Sequence, residues 1–155
     1  MKAIIGLFVL LFIVVIGSAT LINGKGISLS PKQSSVTINK NTFLVEVEKT
    51  EPSREKGLSG RSSLQAGHGM LFLFDKPNRY AFWMKDMKFP IDMVFINGST
   101  VVNIFPNVPF PAANTPDSSL PLYIPTSAAD KVLEINANTA QKDNIKNGDT
   151  VSISL

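Results

Sequence analysis

The chain has 155 residues, no cysteine, one histidine and a net charge of +3 from 15 basic and 12 acidic side chains. Without cysteine there is no disulfide, thiol nucleophile, thiolate metal site or lipidated cysteine, and with His68 alone a multi-histidine zinc or iron centre is excluded within one chain. The basic residues are spread from Lys25 to Lys146 without a run, which gives no footprint for nucleic acid.

After Met1-Lys2, residues 3–22 carry no charge and are apolar on every helical face, long enough to cross a hydrocarbon core of about 30 Å. Two readings stand: a retained membrane anchor, or a signal peptide cut after Ala19 behind the small residues Gly17-Ser18-Ala19. Lys2 on the cytoplasmic side sends everything after residue 22 outward in either case. The expected product is therefore membrane-anchored with its domain outside the cytoplasm, or secreted or periplasmic if the segment is removed. Residues 23–35 (NGKGISLSPKQSS) read as a flexible tether, and residues 36–155 as the exported domain.

Within that domain Val36 and Ile38 alternate with polar neighbours, Asn39-Lys40-Asn41 makes a turn, and Phe43, Val45 and Val47 alternate again, which predicts a β-hairpin. Thr50 is an N-cap with Pro52 in the first turn and Gly57 as the stop, so residues 51–56 read as a short helix. Three apolar runs follow, 71–74, 80–84 and 91–96, each too short for a core helix and each read as a buried strand. Asn97-Gly98 joins the last of these to 100–105 as a hairpin, because both residues tolerate positive φ. Residues 106–125 hold six prolines and predict a long ordered loop over one end of the domain. Lys131 to Ile135 is a further strand, 138–144 a short helix, and Val151 to Leu155 the last strand. The fold class is mainly β: a compact barrel-like or sandwich domain of mostly antiparallel strands with one or two short helices.

Polar residues embedded in apolar surroundings are the informative ones: Arg54, Arg61, Lys85, Asp92 and Glu134, with Trp83 beside Lys85. Buried charges need partners, so Asp92 is expected to meet an Arg or Lys. These charges either close a structural ion-pair network or form a pocket, in which guanidinium forks suit a carboxylate or phosphate and Trp83 offers a stacking face for a sugar. His68 lies between glycines in a loop, and Gly57-Leu58-Ser59-Gly60 stops one residue short of a nucleophile elbow.

An ordered series of motifs runs through the domain: Arg54-x-x-Gly57-Leu58-x-x-Arg61, Gly69-Met70-Leu71-Phe72, Phe82-Trp83-Met84-Lys85, Pro90-Ile91-Asp92-Met93, Val132-Leu133-Glu134-Ile135 and Ile145-Lys146-x-Gly148-Asp149. Together they resemble the bacterial and archaeal family called domain of unknown function 192. The resemblance implies a compact, mostly β, barrel-like domain, often behind a signal peptide or anchor, with no established activity. This chain departs from the pattern at Asp86-Met87, where the family commonly has Asn-Thr, and at Asn138, where Gly is common.

The leading expectation is a membrane-tethered envelope module that binds an anionic or sugar-like ligand through Arg54, Arg61, Trp83, Lys85, Asp92 and Glu134. No metal or cofactor is expected. One alternative is a hydrolase of envelope polymers, which requires Asp92 and Glu134 to face each other roughly 5 to 10 Å apart across a cleft. Another is a structural envelope protein whose charges pair only with each other.

Overall fold

The computed structural model describes residues 33–155. The apolar segment 1–22, and the tether up to residue 32, lie outside the described residues. The strands are β1 (Ser35–Ile38), β2 (Asn41–Glu48), β3 (His68–Asn78), β4 (Ile91–Asn97), β5 (Thr100–Val108), β6 (Ala129–Asn136) and β7 (Val151–Ser154). Two short helices, α1 (Glu51–Lys56) and α2 (Thr139–Lys142), and a 3-10 turn at Asp117–Ser119 complete the list.

All seven strands form one sheet in the order β5-β4-β6-β3-β2-β1-β7, and only β2 and β3 run parallel. Hydrogen bonds from Val101 N to Asp149 O, Gly148 N to Val101 O and Val151 N to Ser99 O join the start of β5 to the chain entering β7. The sheet therefore curls until its two edges meet at one end. It is a half-barrel rather than a sandwich.

Strict alternation in β3, β4 and β6 places two different cores on the two faces of this curl. On one face Leu71, Val94, Ile96, Leu133 and Ile135 pack with Val36, Ile38 and Phe43. On the other Met70, Phe72, Met93, Phe95 and Val132 pack beneath Leu58, Met84 and Met87. β4 is buried at every position from Ile91 to Ile96 because it lies between both cores. Gly69 permits the close approach of β3 to β6: a Cβ there would lie 2.9 Å from the carbonyl oxygen of Glu134.

Helix α1 forms as its sequence dictates, with Thr50 and Ser53 in a reciprocal capping box and Gly57 at φ 46° ending it. The β4–β5 hairpin is present, but its turn is Gly98-Ser99. Asn97 stays in β4 opposite Thr100, and Gly98 takes the positive φ of 60°.

Residues 80–84 are not a strand. Only Phe82 makes a bridge, with Tyr123, and the segment instead crosses the second face so that the Phe82 ring meets Phe72 and Phe95 edge-on at 5.2 and 5.6 Å. The apolar run signalled burial, which such a cover satisfies as well as a strand does. The proline-rich stretch also departs from expectation. Pro106 lies within β5, which Pro tolerates on an edge strand, and the loop after it buries Leu120 and packs Tyr123 against the second core rather than over a barrel end.

Candidate functional site

An open groove of about 520 Å3 runs between α1 and the segment after β3, lined by Glu51, Arg54 and Glu55 on one side and by Phe74, Tyr80, Phe82 and Trp83 on the other. The Phe74 and Tyr80 rings stack at 3.8 Å, and the Arg54 guanidinium lies 4.8 Å above Phe74. Trp83 is 43% exposed, a large apolar surface left in solvent at the groove's edge.

A smaller cavity of about 40 Å3 adjoins the groove, sharing Arg54, Glu55, Phe82 and Trp83 with it. Its other walls include Leu58, Ser59, Phe72 and Met87, and it contains Glu134. Strand β6 supplies this carboxyl from the middle of the sheet. Glu134 stands between Met70 of β3 and Met93 of β4 in one cross-strand row on the second face.

Glu134 is only 5% exposed, and among the described residues no group donates a hydrogen bond to its carboxyl. Among the described residues every fully sealed side-chain polar atom has a partner, so the Glu134 oxygens, which have none, open on the cavity. Desolvation pushes its pKa up to about 8.

The other sequence-predicted residues are placed differently. Arg54 donates through Nη1 to the carbonyls of Lys49 and Leu73, which anchors α1 to β3 while its guanidinium edges the groove. Lys85 lies 5.5 Å over the Trp83 ring and pairs with Asp117 of the 3-10 turn, which raises its pKa and ties the loop to the groove's rim. Arg61 makes a two-pronged pair with Glu46 on the surface and lines neither cavity. That pair raises the Arg61 pKa and lowers that of Glu46, chiefly through the hydrogen bond. Exposed pairs contribute about 1 kcal/mol or less. Arg61→Ala is expected to lower stability by no more than about that, measured by urea melts, and to leave the domain folded.

Among the described residues Asp92 has no cationic partner, contrary to expectation. Its Oδ1 accepts from the backbone N–H of Asn107 and Asn138 at 2.7 and 3.0 Å, and its Oδ2 from that of Ala140 at 2.7 Å. Three amides replace the counter-ion. Asp92 pairs with Ile135 across β4 and β6 while Met93 pairs with Glu134, so the two carboxyl groups project from opposite faces of the sheet. They do not share the cleft that a two-carboxylate hydrolase needs.

His68 lies in a separate depression with Lys142 and Asp143, away from Ser59. A further depression, about 740 Å3, is lined by residues 110–115 together with the charged Asp86, Lys88 and Asp117. Among the described residues no three His, Asp or Glu side chains converge. Arg54, Trp83 and Glu134 thus meet, and Lys85 touches the site through Trp83, whereas Arg61 and Asp92 stand apart. Sequence reasoning passed over Phe82, Tyr80 and Met87, although the aromatic density of 80–83 was a usable signal.

A comparison with curated proteins gave no match. Two solved structures share the fold. A protein of unknown function from Novosphingobium aromaticivorans is 30% identical with a TM-score of 0.67, the match covering 77% of this chain and 83% of that one. A putative transcription regulator from Sinorhizobium meliloti is 27% identical with a TM-score of 0.68, covering 78% and 93%. The model of the family DUF192, described as "Uncharacterized ACR", matches residues 34–153, from just before β1 into β7 and so through every element of the site. The chain belongs to the DUF192 family.

Proposed function

We propose that this chain is a binding module of the cell envelope, held at the membrane by residues 3–22, that takes a neutral, sugar-like ligand in the Trp83 groove. The observation that carries the reading is Glu134: a buried carboxyl to which no described residue donates, opening on a cavity beside an exposed tryptophan. Burying such a group costs stability, and perturbed, desolvated groups in clefts mark functional sites. An aromatic face beside a few polar groups suits the C–H face and hydroxyls of a sugar.

The anionic version of the ligand has less support. Arg61 and Lys85 are occupied by Glu46 and Asp117, and the Arg54 guanidinium already donates to two carbonyls. These engagements favour an uncharged ligand.

The test is the melting temperature of the full-length chain in mild detergent against neutral saccharides, muropeptides and phosphorylated sugars. A ligand at about 100 times its Kd adds about 2.7 kcal/mol, a shift of several degrees. The expected result is a shift with neutral saccharides that Trp83→Ala abolishes while remaining folded. No shift with any saccharide, or equal shifts in wild type and Trp83→Ala, overturns the reading.

A further inference from the structure

The groove and the small cavity beside it differ in what they hold. The groove, at about 520 Å3, takes a sugar ring, whereas about 40 Å3 has room for about one water-sized group. Arg54, Glu55, Phe82 and Trp83 line both spaces. A ligand stacked on Trp83 therefore has room to send one small arm inward.

The polar groups around the cavity decide what that arm meets. Arg54 Nη1 already donates to the carbonyls of Lys49 and Leu73, and the Ser59 hydroxyl donates to the carbonyl of Lys85. Glu55 and Lys56, the remaining charged residues of the lining, are exposed and solvated. Glu134 differs from all of these: it is 5% exposed, and among the described residues nothing donates to its carboxyl. Strand β6 holds it between Met70 and Met93, both fully buried, so a donor has to reach it through the cavity.

Cavity size and the acceptor inside it together select the arm. A ring hydroxyl sits directly on its ring and brings the ring carbons against the rim. The exocyclic hydroxymethyl of a hexopyranose carries its hydroxyl one carbon further out, on a rotatable bond. An acetamido or phosphate group has more atoms than a water-sized space admits, and a carboxylate in that place would face a second carboxyl.

We infer that Glu134 is the specificity-determining residue of the groove, accepting a hydrogen bond from the primary hydroxyl of a hexopyranose whose ring stacks on Trp83. The inference rests on the saccharide reading above and narrows it to hexopyranosides with an unsubstituted primary hydroxyl. A protonated and an ionised carboxyl both offer an accepting oxygen, so this recognition does not depend on titration. A 6-deoxy sugar fills the same space with a methyl group and leaves the carboxyl unmet, and a pentopyranose has no arm to reach it. A site built to hydrogen-bond a hydroxyl rejects the analogue that lacks it more strongly than an apolar pocket rejects a missing methylene.

The full-length chain, in a detergent without a sugar headgroup, is titrated with the methyl pyranosides of glucose, mannose and galactose, each beside its 6-deoxy counterpart. Trp83, the chain's one tryptophan, reports binding by its fluorescence. The expected result is saturable binding of at least one hexoside, with its 6-deoxy counterpart about tenfold weaker, the scale of one hydrogen bond to a carboxyl. Glu134→Leu is expected to erase that difference, whereas Glu134→Gln, which keeps an accepting oxygen, retains it; circular dichroism checks the fold of both. Equal affinities within every pair in the wild-type chain, or discrimination that persists in folded Glu134→Leu, overturn the inference. The groove reading then still stands if Trp83→Ala abolishes binding. Binding of no saccharide overturns both.

Discussion

Asp92→Asn is expected to cost about 3 kcal/mol and to lower the melting temperature on the order of 10 °C, although it changes a single atom. The carboxylate is wholly buried and accepts three backbone N–H groups, two on Oδ1 and one on Oδ2. An asparagine amide retains one oxygen, so either the Ala140 N–H or the Asn107 and Asn138 pair must face an NH2 group. Donor opposes donor, and a buried N–H without an acceptor costs about 1–3 kcal/mol. The bonds also fix two backbone corners, Asn107 at φ 48° and Asn138 at φ 66°, so their loss loosens the entry to α2. Urea melts measure the effect as a fall in midpoint with an unchanged slope. A loss below about 0.5 kcal/mol, the scale of an ordinary surface change, contradicts this assignment.

The second large effect has the opposite sign. Glu134→Gln is expected to stabilise the domain at alkaline pH and to change it little at pH 4. The folded pKa is about 8 against an ordinary 4.5. Below 4.5 folded and unfolded chains both hold the proton, and the carboxyl imposes no pH-dependent penalty. Between 4.5 and about 8 the unfolded chain has released its proton while the folded chain retains it, so stability falls as pH rises, then levels off above about 8. Each unit of that window corresponds to about 1.4 kcal/mol, and several kcal/mol is the upper bound. Glutamine removes the titration. Parallel melts of wild type and variant at pH 4, 6 and 8 are expected to diverge progressively, by on the order of 10 °C at the top. Parallel curves at all three values contradict the burial argument.

Local chemistry was legible in the sequence where it acts over a few residues. Thr50, Pro52 and Gly57 bound α1 through capping and backbone rules that need no tertiary partner, and the β1–β2 alternation set its own register. Asn138 stands where the family commonly has Gly, and its φ of 66° explains the exchange, since Asn tolerates the left-handed region better than most residues. Asp86 at φ 56° stands where Asn is common, for the same reason.

Long-range placement was not legible. Residues 80–84 have a strand's composition, yet their Phe82 ring is used as a lid over Phe72 and Phe95, which depends on a chain crossing that no local pattern encodes. Asp92 was recognised as buried, but its partners are backbone amides from β5 and α2, which a search for cationic side chains does not reach. Glu134 was recognised for the same reason and has no hydrogen-bonding or ion-pair partner among the described residues. One rule, that buried charge needs compensation, thus identified both residues. Only the fold separates the satisfied carboxylate from the exposed need.

The most direct test of the account is the ionisation of Glu134 itself, read from its side-chain carboxyl carbon by NMR in the isotope-labelled full-length chain and assigned by Glu134→Gln. The account expects a midpoint near 8, because desolvation alone acts on the group. A midpoint in the ordinary carboxylate range, near 4.5, contradicts it and removes the basis for placing the functional site at this cavity.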